Sequence, residues 1–245
     1  MLSGLVHRRL ENKHAKHKQQ LENKLDLIPI TIVDNFFKDP DYIRSEALKL
    51  NYGEIKSKSP GMRAICPPNI AEIVTKKIFA LLVDMNKHII EGKLDLYFQL
   101  TTKELEHGWV HSDANGRFYF AGVIYLTPNA PLSGGTSIYR SITLEPNLDL
   151  MEELQAIKTD FYLGKSNDLQ KFKENKKQNN SLFHKTVDIS NIYNRLVMYP
   201  VNEFHSENIL FGETKEDARL TLVFFVSHIA SNTALPIDRM NLVEK

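Results

Sequence analysis

Three residues of this 245-residue chain have the types and spacing to make a metal centre. His111 and Asp113 stand two apart in His111-Ser112-Asp113, and a further imidazole, His205, follows far downstream. On an extended segment, side chains at i and i+2 leave the same face roughly 6 to 7 Å apart at Cα, which lets an imidazole and a carboxylate converge on one ion. Two neutral imidazoles and one carboxylate on one side of an octahedron suit a non-haem Fe(II) centre and leave three positions open to exogenous ligands. A lone His-x-Asp is a weak signal, common at polar strand edges; its company gives it weight. Arg219 lies fourteen residues past His205, beyond a turn suggested by Gly212 and Glu213, and Thr221 should face the same way as Arg219. A guanidinium grips a carboxylate with two parallel hydrogen bonds and a hydroxyl can add another, so this pair reads as a carboxylate clamp facing the metal.

Other reactive side chains lack such company. Cys66 and Ser206 have no base and orienting acid placed by a recognisable pattern, which sets nucleophilic catalysis aside. His88, His107, His184 and His228 read as surface, loop or rim residues. Gly134-Gly135 has neither the ending nor the following helix of a phosphate loop and reads as a tight sheet turn. Arg63, in the 59–68 loop, and Asn115 and Arg117, just past Asp113, are candidates for substrate contact, whereas Trp109 should face away from His111 into packing.

These residues need elements to carry them. Residues 28–33 read as a short strand, and Asp34 or Asp39 can cap a helix through Tyr42, Ile43, Ala47 and Leu48. Pro67 and Pro68 open a longer helix with Ile70, Ile73, Val74, Ile78, Leu81, Leu82 and Met85 at helical spacing. From residue 94 the period becomes two, and 94–101, 109–113, 118–127, 136–140, 195–199 and 219–228 read as strands. Helices first and antiparallel strands afterwards predict an α+β domain built on a double-sheet jelly roll, the cupin-like double-stranded β-helix, with both helices outside a sheet. The chain then divides into a polar arm (1–25), a helical support (26–93), a catalytic core (94–235) and a tail (236–245). Inside the core, 144–187 is a polar, weakly helical insertion, with 171–180 almost devoid of apolar side chains; beside a barrel mouth it is placed as a lid.

Composition bounds the answer. At 42% hydrophobic and 25% charged, the chain can bury one sizeable core and is not disordered. A formal net charge of +1 without a basic stripe gives no pull toward nucleic acid or membrane. The single Cys excludes an internal disulfide and a thiolate cluster. No apolar run nears the roughly 20 residues of a membrane span, and the opening residues are too short for a signal-peptide core. A soluble cytoplasmic protein is expected, of open oligomeric state.

In order and spacing, His111-x-Asp113, Ile124-Tyr125-Leu126, Gly134-Gly135-Thr136, His205 and Arg219-Leu220-Thr221 resemble the Fe(II)/2-oxoglutarate-dependent dioxygenases, specifically their prolyl-hydroxylase-like branch, over residues 94–228. Asp34-Asn35-Phe36-Phe37 and Ile43-Arg44 also look like the leading segment of small oxygenases of this kind. The resemblance implies that His111, Asp113 and His205 hold Fe(II). It implies that 2-oxoglutarate chelates the metal and rests its far carboxylate on Arg219, with Thr221, Tyr125 and Gln99 beside it. With O2 as co-reactant, conversion to succinate and CO2 would drive hydroxylation of a C–H bond. Prolyl hydroxylases often carry Lys at the clamp, nearer the distal His; Arg219 at its longer spacing keeps the cosubstrate and detaches the chain from a prolyl substrate.

The branch favours a protein or peptide side chain as substrate, with a small molecule as the other option. Two function classes stand beside the dioxygenase: a cupin-like metalloenzyme not using 2-oxoglutarate, such as an isomerase or hydrolase, and a catalytically silent ligand-binding barrel.

Overall fold

The computed structural model describes residues 28–53, 55, 57–82, 89–114, 116–143 and 147–231. The expectations for the polar arm, Met85, Asn115 and the tail lie outside the described residues. In chain order the elements are β1 (Thr31–Val33), α1 (Pro40–Lys49), β2 (Met62–Ile65), α2 (Pro68–Leu82), β3 (Ile89–Thr101), β4 (Phe120–Tyr125), β5 (Thr136–Ser141), α3 (Leu148–Tyr162), α4 (Leu169–Asn180), β6 (Phe183–Ile189), β7 (Leu196–Pro200), β8 (Phe204–Glu207) and β9 (Arg219–Ser231). The strands form two antiparallel sheets, one of order β1-β7-β4-β9-β3-β2 and one of order β6-β5-β8.

Alternation along the strands sorts the side chains. Leu96, Phe98 and Leu100 of β3 share a face with Leu220, Leu222 and Phe224 of β9, and together they meet Ile43 and Ala47 of α1 and Ile70, Val74 and Ile78 of α2. Each such large apolar side chain contributes about 1.5–3 kcal/mol on full burial, so this core holds both helices on the outer face. Asp39 caps α1, its carboxylate accepting from the Tyr42 N–H at 2.9 Å, and Pro68 opens α2. On the inner face Ala121, Tyr125, Val197 and Tyr199 pack against Ile138 and Ile189 of the smaller sheet. The polar alternates of β3 and β9, namely Gln99, Thr101, Arg219 and Thr221, are thereby buried.

Three expectations change. Segment 109–113 is not a strand: His111 alone makes a bridge, to His205. Residues 62–65, expected as loop, form β2 and pair with β3, which turns Arg63 into a strand residue. Residues 183–187, the end of the assigned insertion, belong to β6, whose solvent-facing His184, Lys185 and Thr186 hide its alternation.

The rest of the insertion folds as α3 and α4, and its polarity has a structural reason. Lys176 donates to the Leu105 and His107 carbonyls at 2.5 and 2.9 Å, and Asn179 to the Val110 carbonyl at 2.9 Å. Asn180 accepts from the Val110 N–H at 2.9 Å and donates to the Gly108 carbonyl at 3.1 Å. Buried backbone groups need partners, and here side chains of α4 replace a strand neighbour for the run leading to His111. Trp109, facing away from His111 as expected, packs with Leu154 of α3 and Phe172 of α4. Among the described residues no helix is long and apolar enough to cross a membrane.

Candidate metal centre

The bridge between His111 and His205 assembles the centre. His111 N–H donates to the His205 carbonyl at 3.0 Å and His205 N–H to the His111 carbonyl at 2.8 Å, leaving the rings 4.5 Å apart. Asp113 is held by its own N–H, which donates to the Val201 carbonyl at 2.9 Å. Its carboxylate meets both rings: Oδ1 lies 3.7 Å from His111 Nε2 and Oδ2 lies 3.4 Å from His205 Nε2. One ligand atom from each of the three falls within 4.8 Å of the others.

The tautomers follow from the backbone. His111 Nδ1 faces the Trp109 carbonyl at 2.7 Å and His205 Nδ1 the Glu203 carbonyl at 3.0 Å. A carbonyl can only accept, so each Nδ1 carries a proton, and each ring turns its Nε2 toward Asp113, the orientation a metal requires. Burial, and after it the charge of Lys158, holds the His111 pKa well below the ordinary 6.5, which keeps this ring neutral. An ion pair between Arg140 and Glu203, 2.5 Å long, braces the start of β8 beneath His205. Two imidazoles and a carboxylate without a thiolate form the donor set that suits Fe(II).

Register positions the remaining residues. Arg63 pairs with Gln99, Gln99 with Thr221, and Thr221 with Tyr125, a single row across β2, β3, β9 and β4; Arg219 pairs with Thr101 on the next inward row. Arg219, 1% exposed, donates through Nε to the Gly134 carbonyl at 2.9 Å and through Nη2 to the Gly135 carbonyl at 3.4 Å, with the Tyr125 ring 5.5 Å from its guanidinium. Two of its five N–H groups are used this way, and the others remain for a ligand in the cavity it lines with the triad. The turn that supplies these carbonyls needs glycine, because a Cβ at Gly135 would lie 1.8 Å from the Ile189 oxygen. Thr221 lines the same cavity, and its buried hydroxyl has no hydrogen-bond partner among the described residues.

The other expected site residues divide. Arg63 and Gln99 line the cavity, but both ends of the Gln99 amide are engaged: Oε1 accepts from Arg63 Nε at 3.0 Å and Nε2 donates to the Pro60 carbonyl at 2.9 Å. Gln99 therefore orients Arg63. Tyr125 does not reach the wall, since its hydroxyl donates to Thr136 Oγ1 at 2.8 Å and its ring lies against Arg219. The tyrosine on the wall is Tyr199, whose ring is 4.6 Å from His205. Burial, with the charges of Asp113 and Glu207, raises the Tyr199 pKa well above 10 and keeps its hydroxyl a donor. Arg117 pairs with Asp95 at 3.0 Å and lines an adjoining cleft that shares Arg63 and Asp113 with the cavity that holds all three ligands. Cys66 is buried, and burial pushes its thiol up to about 12, consistent with an inert side chain.

Sequence reasoning missed three residues at this site. Tyr199 and Glu207 carried one available signal each, the spacing of two from Val197 and from His205. The Glu207 Oε2 atom is buried without a hydrogen-bond partner among the described residues. Lys158 of α3, also beside the centre, carried none.

No curated protein matches the chain in sequence. Among solved structures, HygX from Streptomyces hygroscopicus, crystallised with nickel, 2-oxoglutarate and hygromycin B bound, is 14% identical over 82% of this chain and 84% of its own, with a TM-score of 0.51. A prolyl hydroxylase from Trichoplax adhaerens, in complex with a hypoxia inducible factor peptide fragment, is 12% identical over 89% and 92%, with a TM-score of 0.49. A 2OG-Fe(II) oxygenase family oxidoreductase from Burkholderia pseudomallei is 13% identical over 89% and 92%, with a TM-score of 0.46. The likeness to HygX is one of fold. Residues 16–226 match the model of a family of unknown function (DUF6445), and the chain belongs to that family.

Proposed function

We propose that this protein is an Fe(II)- and 2-oxoglutarate-dependent dioxygenase on a jelly-roll barrel, hydroxylating a C–H bond of its substrate. The observation that carries this reading is the unpartnered Thr221 hydroxyl, buried in the cavity that Arg219 shares with the triad. A carboxylate is the group that would use both. His111, Asp113 and His205 would hold the Fe(II), which with 2-oxoglutarate and O2 would supply oxidation of an unactivated C–H bond, leaving succinate and CO2. The fold shared with HygX, a protein that binds 2-oxoglutarate, supports the same reading.

The contribution of the chain is positional. Its Nδ1 hydrogen bonds orient both imidazoles with Nε2 toward the metal position, and Arg219 with Thr221 would orient the far end of the cosubstrate. Ala121, Val223 and Phe225 give the cavity an apolar wall that limits water. Arg63, oriented by Gln99, stands where a substrate would be met. Hydroxylation on this plan needs no general acid or base.

Succinate formation from 2-oxoglutarate, measured with Fe(II) in air and under argon, tests the proposal. Oxygen-dependent succinate is expected from the wild type and none from His111→Ala. Absence of both succinate and 2-oxoglutarate binding in the wild type refutes it, and turnover that survives under argon would belong instead to an isomerase or hydrolase.

A further inference from the structure

Helix α3 brings a second cation to the centre. Lys158 lies four residues after Leu154 on the buried side of the helix and is 3% exposed. An apolar side chain would serve packing at such a position. Burying an ammonium is costly unless an acceptor meets it. Among the described residues the Lys158 ammonium makes no hydrogen bond and no ion pair.

Its surroundings show what is missing. Lys158 borders a cavity of about 480 Å³ with His111 and Asp113 on its floor and Met151, Gln155 and Phe204 around it, a volume that suits a small molecule. The charges that face it are the carboxylates of Asp113 and Glu207 and the cations of Lys58 and Arg63, and the exposed carboxylate of Glu152 lines the same cavity. Glu207 attracts Lys158 through space but makes no hydrogen bond or ion pair with it, and its buried Oε2 has no hydrogen-bond partner among the described residues. Asp113 points at Nε2 of both histidines and is committed to the metal once one binds. Arg63 lines the adjoining cavity, which shares His111 and Asp113 with this one; its Nε donates to Gln99 and its guanidinium lies 5.6 Å from the Tyr97 ring. A loaded centre therefore leaves Lys158, Arg63 and Lys58 with too few negative charges, and it does so beside the open metal positions.

We infer that Lys158, with Arg63, forms an anion-binding subsite, and that the molecule oxidised at this centre is a small anion bearing a carboxylate or a phosphate. The identity of the reaction rests on the dioxygenase reading; the anion subsite does not.

The test uses the full chain loaded with Mn(II) and 2-oxoglutarate, with inorganic phosphate and acetate as separate probes. Paramagnetic relaxation of the phosphate 31P or acetate 13C signal reports an anion held near the metal. Saturable relaxation is expected in the wild type, weakened about tenfold or more in Lys158→Met and largely recovered in Lys158→Arg, since a charged hydrogen bond is lost and then restored. The probe that saturates at lower concentration identifies carboxylate or phosphate. Lys158→Met should also melt no lower than the wild type without ligands, because a lysine that only supports the fold would lower it. No saturation by either probe in the wild type, or equal affinity in Lys158→Met, overturns the inference. Binding of 2-oxoglutarate, read by calorimetry on the same samples, reports on the dioxygenase reading by itself.

Discussion

Replacing Thr221 with Val separates a ligand-binding hydroxyl from a structural one by the sign of two effects. The Thr221 side chain is buried between Gln99 and Tyr125 on neighbouring strands, and its hydroxyl meets no partner among the described residues. A buried hydroxyl left without a hydrogen bond costs about 1–3 kcal/mol. Val has nearly the same shape and suits a strand, so Thr221→Val should stabilise the metal-free protein by about 1 kcal/mol, a rise of about 2–4 °C in Tm for a chain of this size. On the dioxygenase reading the same change would remove one donor to the 2-oxoglutarate carboxylate, and a hydrogen bond to a charged group is worth about 1.5–3 kcal/mol. Binding should therefore weaken about 10- to 150-fold. Differential scanning calorimetry of the metal-free protein and anaerobic titration of the Fe(II) protein with 2-oxoglutarate give the two numbers. A Tm several degrees lower with unchanged 2-oxoglutarate affinity would refute the clamp.

Three further outcomes follow from the geometry. His205→Ala should abolish metal-dependent stabilisation: the wild type at a hundred times the Kd of Mn(II) gains about 2.7 kcal/mol, read by thermal shift, and the variant gains little. Gly135→Ala should lower stability by about 1–3 kcal/mol, because its Cβ would meet the Ile189 carbonyl; denaturant melts measure this, and 2-oxoglutarate binding should weaken too as a carbonyl that holds Arg219 shifts. Burial pulls the Lys158 ammonium from 10.5 down to about 8, so between those values the unfolded chain binds more protons than the folded one, and metal-free stability should rise with pH across that window relative to Lys158→Met. Parallel stability–pH curves for the two proteins would show that Lys158 is not buried as described.

Much of the centre was legible because its signals are local. Period-two alternation assigns Arg219 and Thr221 to one face of β9 and Leu220 and Leu222 to the other, before any neighbour strand is known. The types His, Asp and His, with the order of His111, Asp113, His205 and Arg219, carried the chemistry. The support helices were legible for the same reason, since Asp39, Pro68 and the apolar spacing act within a few residues.

What stayed hidden depends on partners far along the chain. His111 reaches His205 through one bridge, because Lys176, Asn179 and Asn180 of α4 take up the backbone groups that a neighbouring strand would otherwise satisfy. Tyr125 and Tyr199 both occupy inward strand positions; packing against Arg219 withdraws the first from the wall and leaves the second on it. Lysine is a good helix former at any position, so nothing local marks Lys158 as buried. The sequence by itself thus determined which side chains share a face and which could bind a metal and a carboxylate. Only the tertiary structure, by docking α3 and α4 on Trp109, decided that a buried lysine would stand beside His111 and Asp113, because burial is a property of the assembled surfaces and not of the residue.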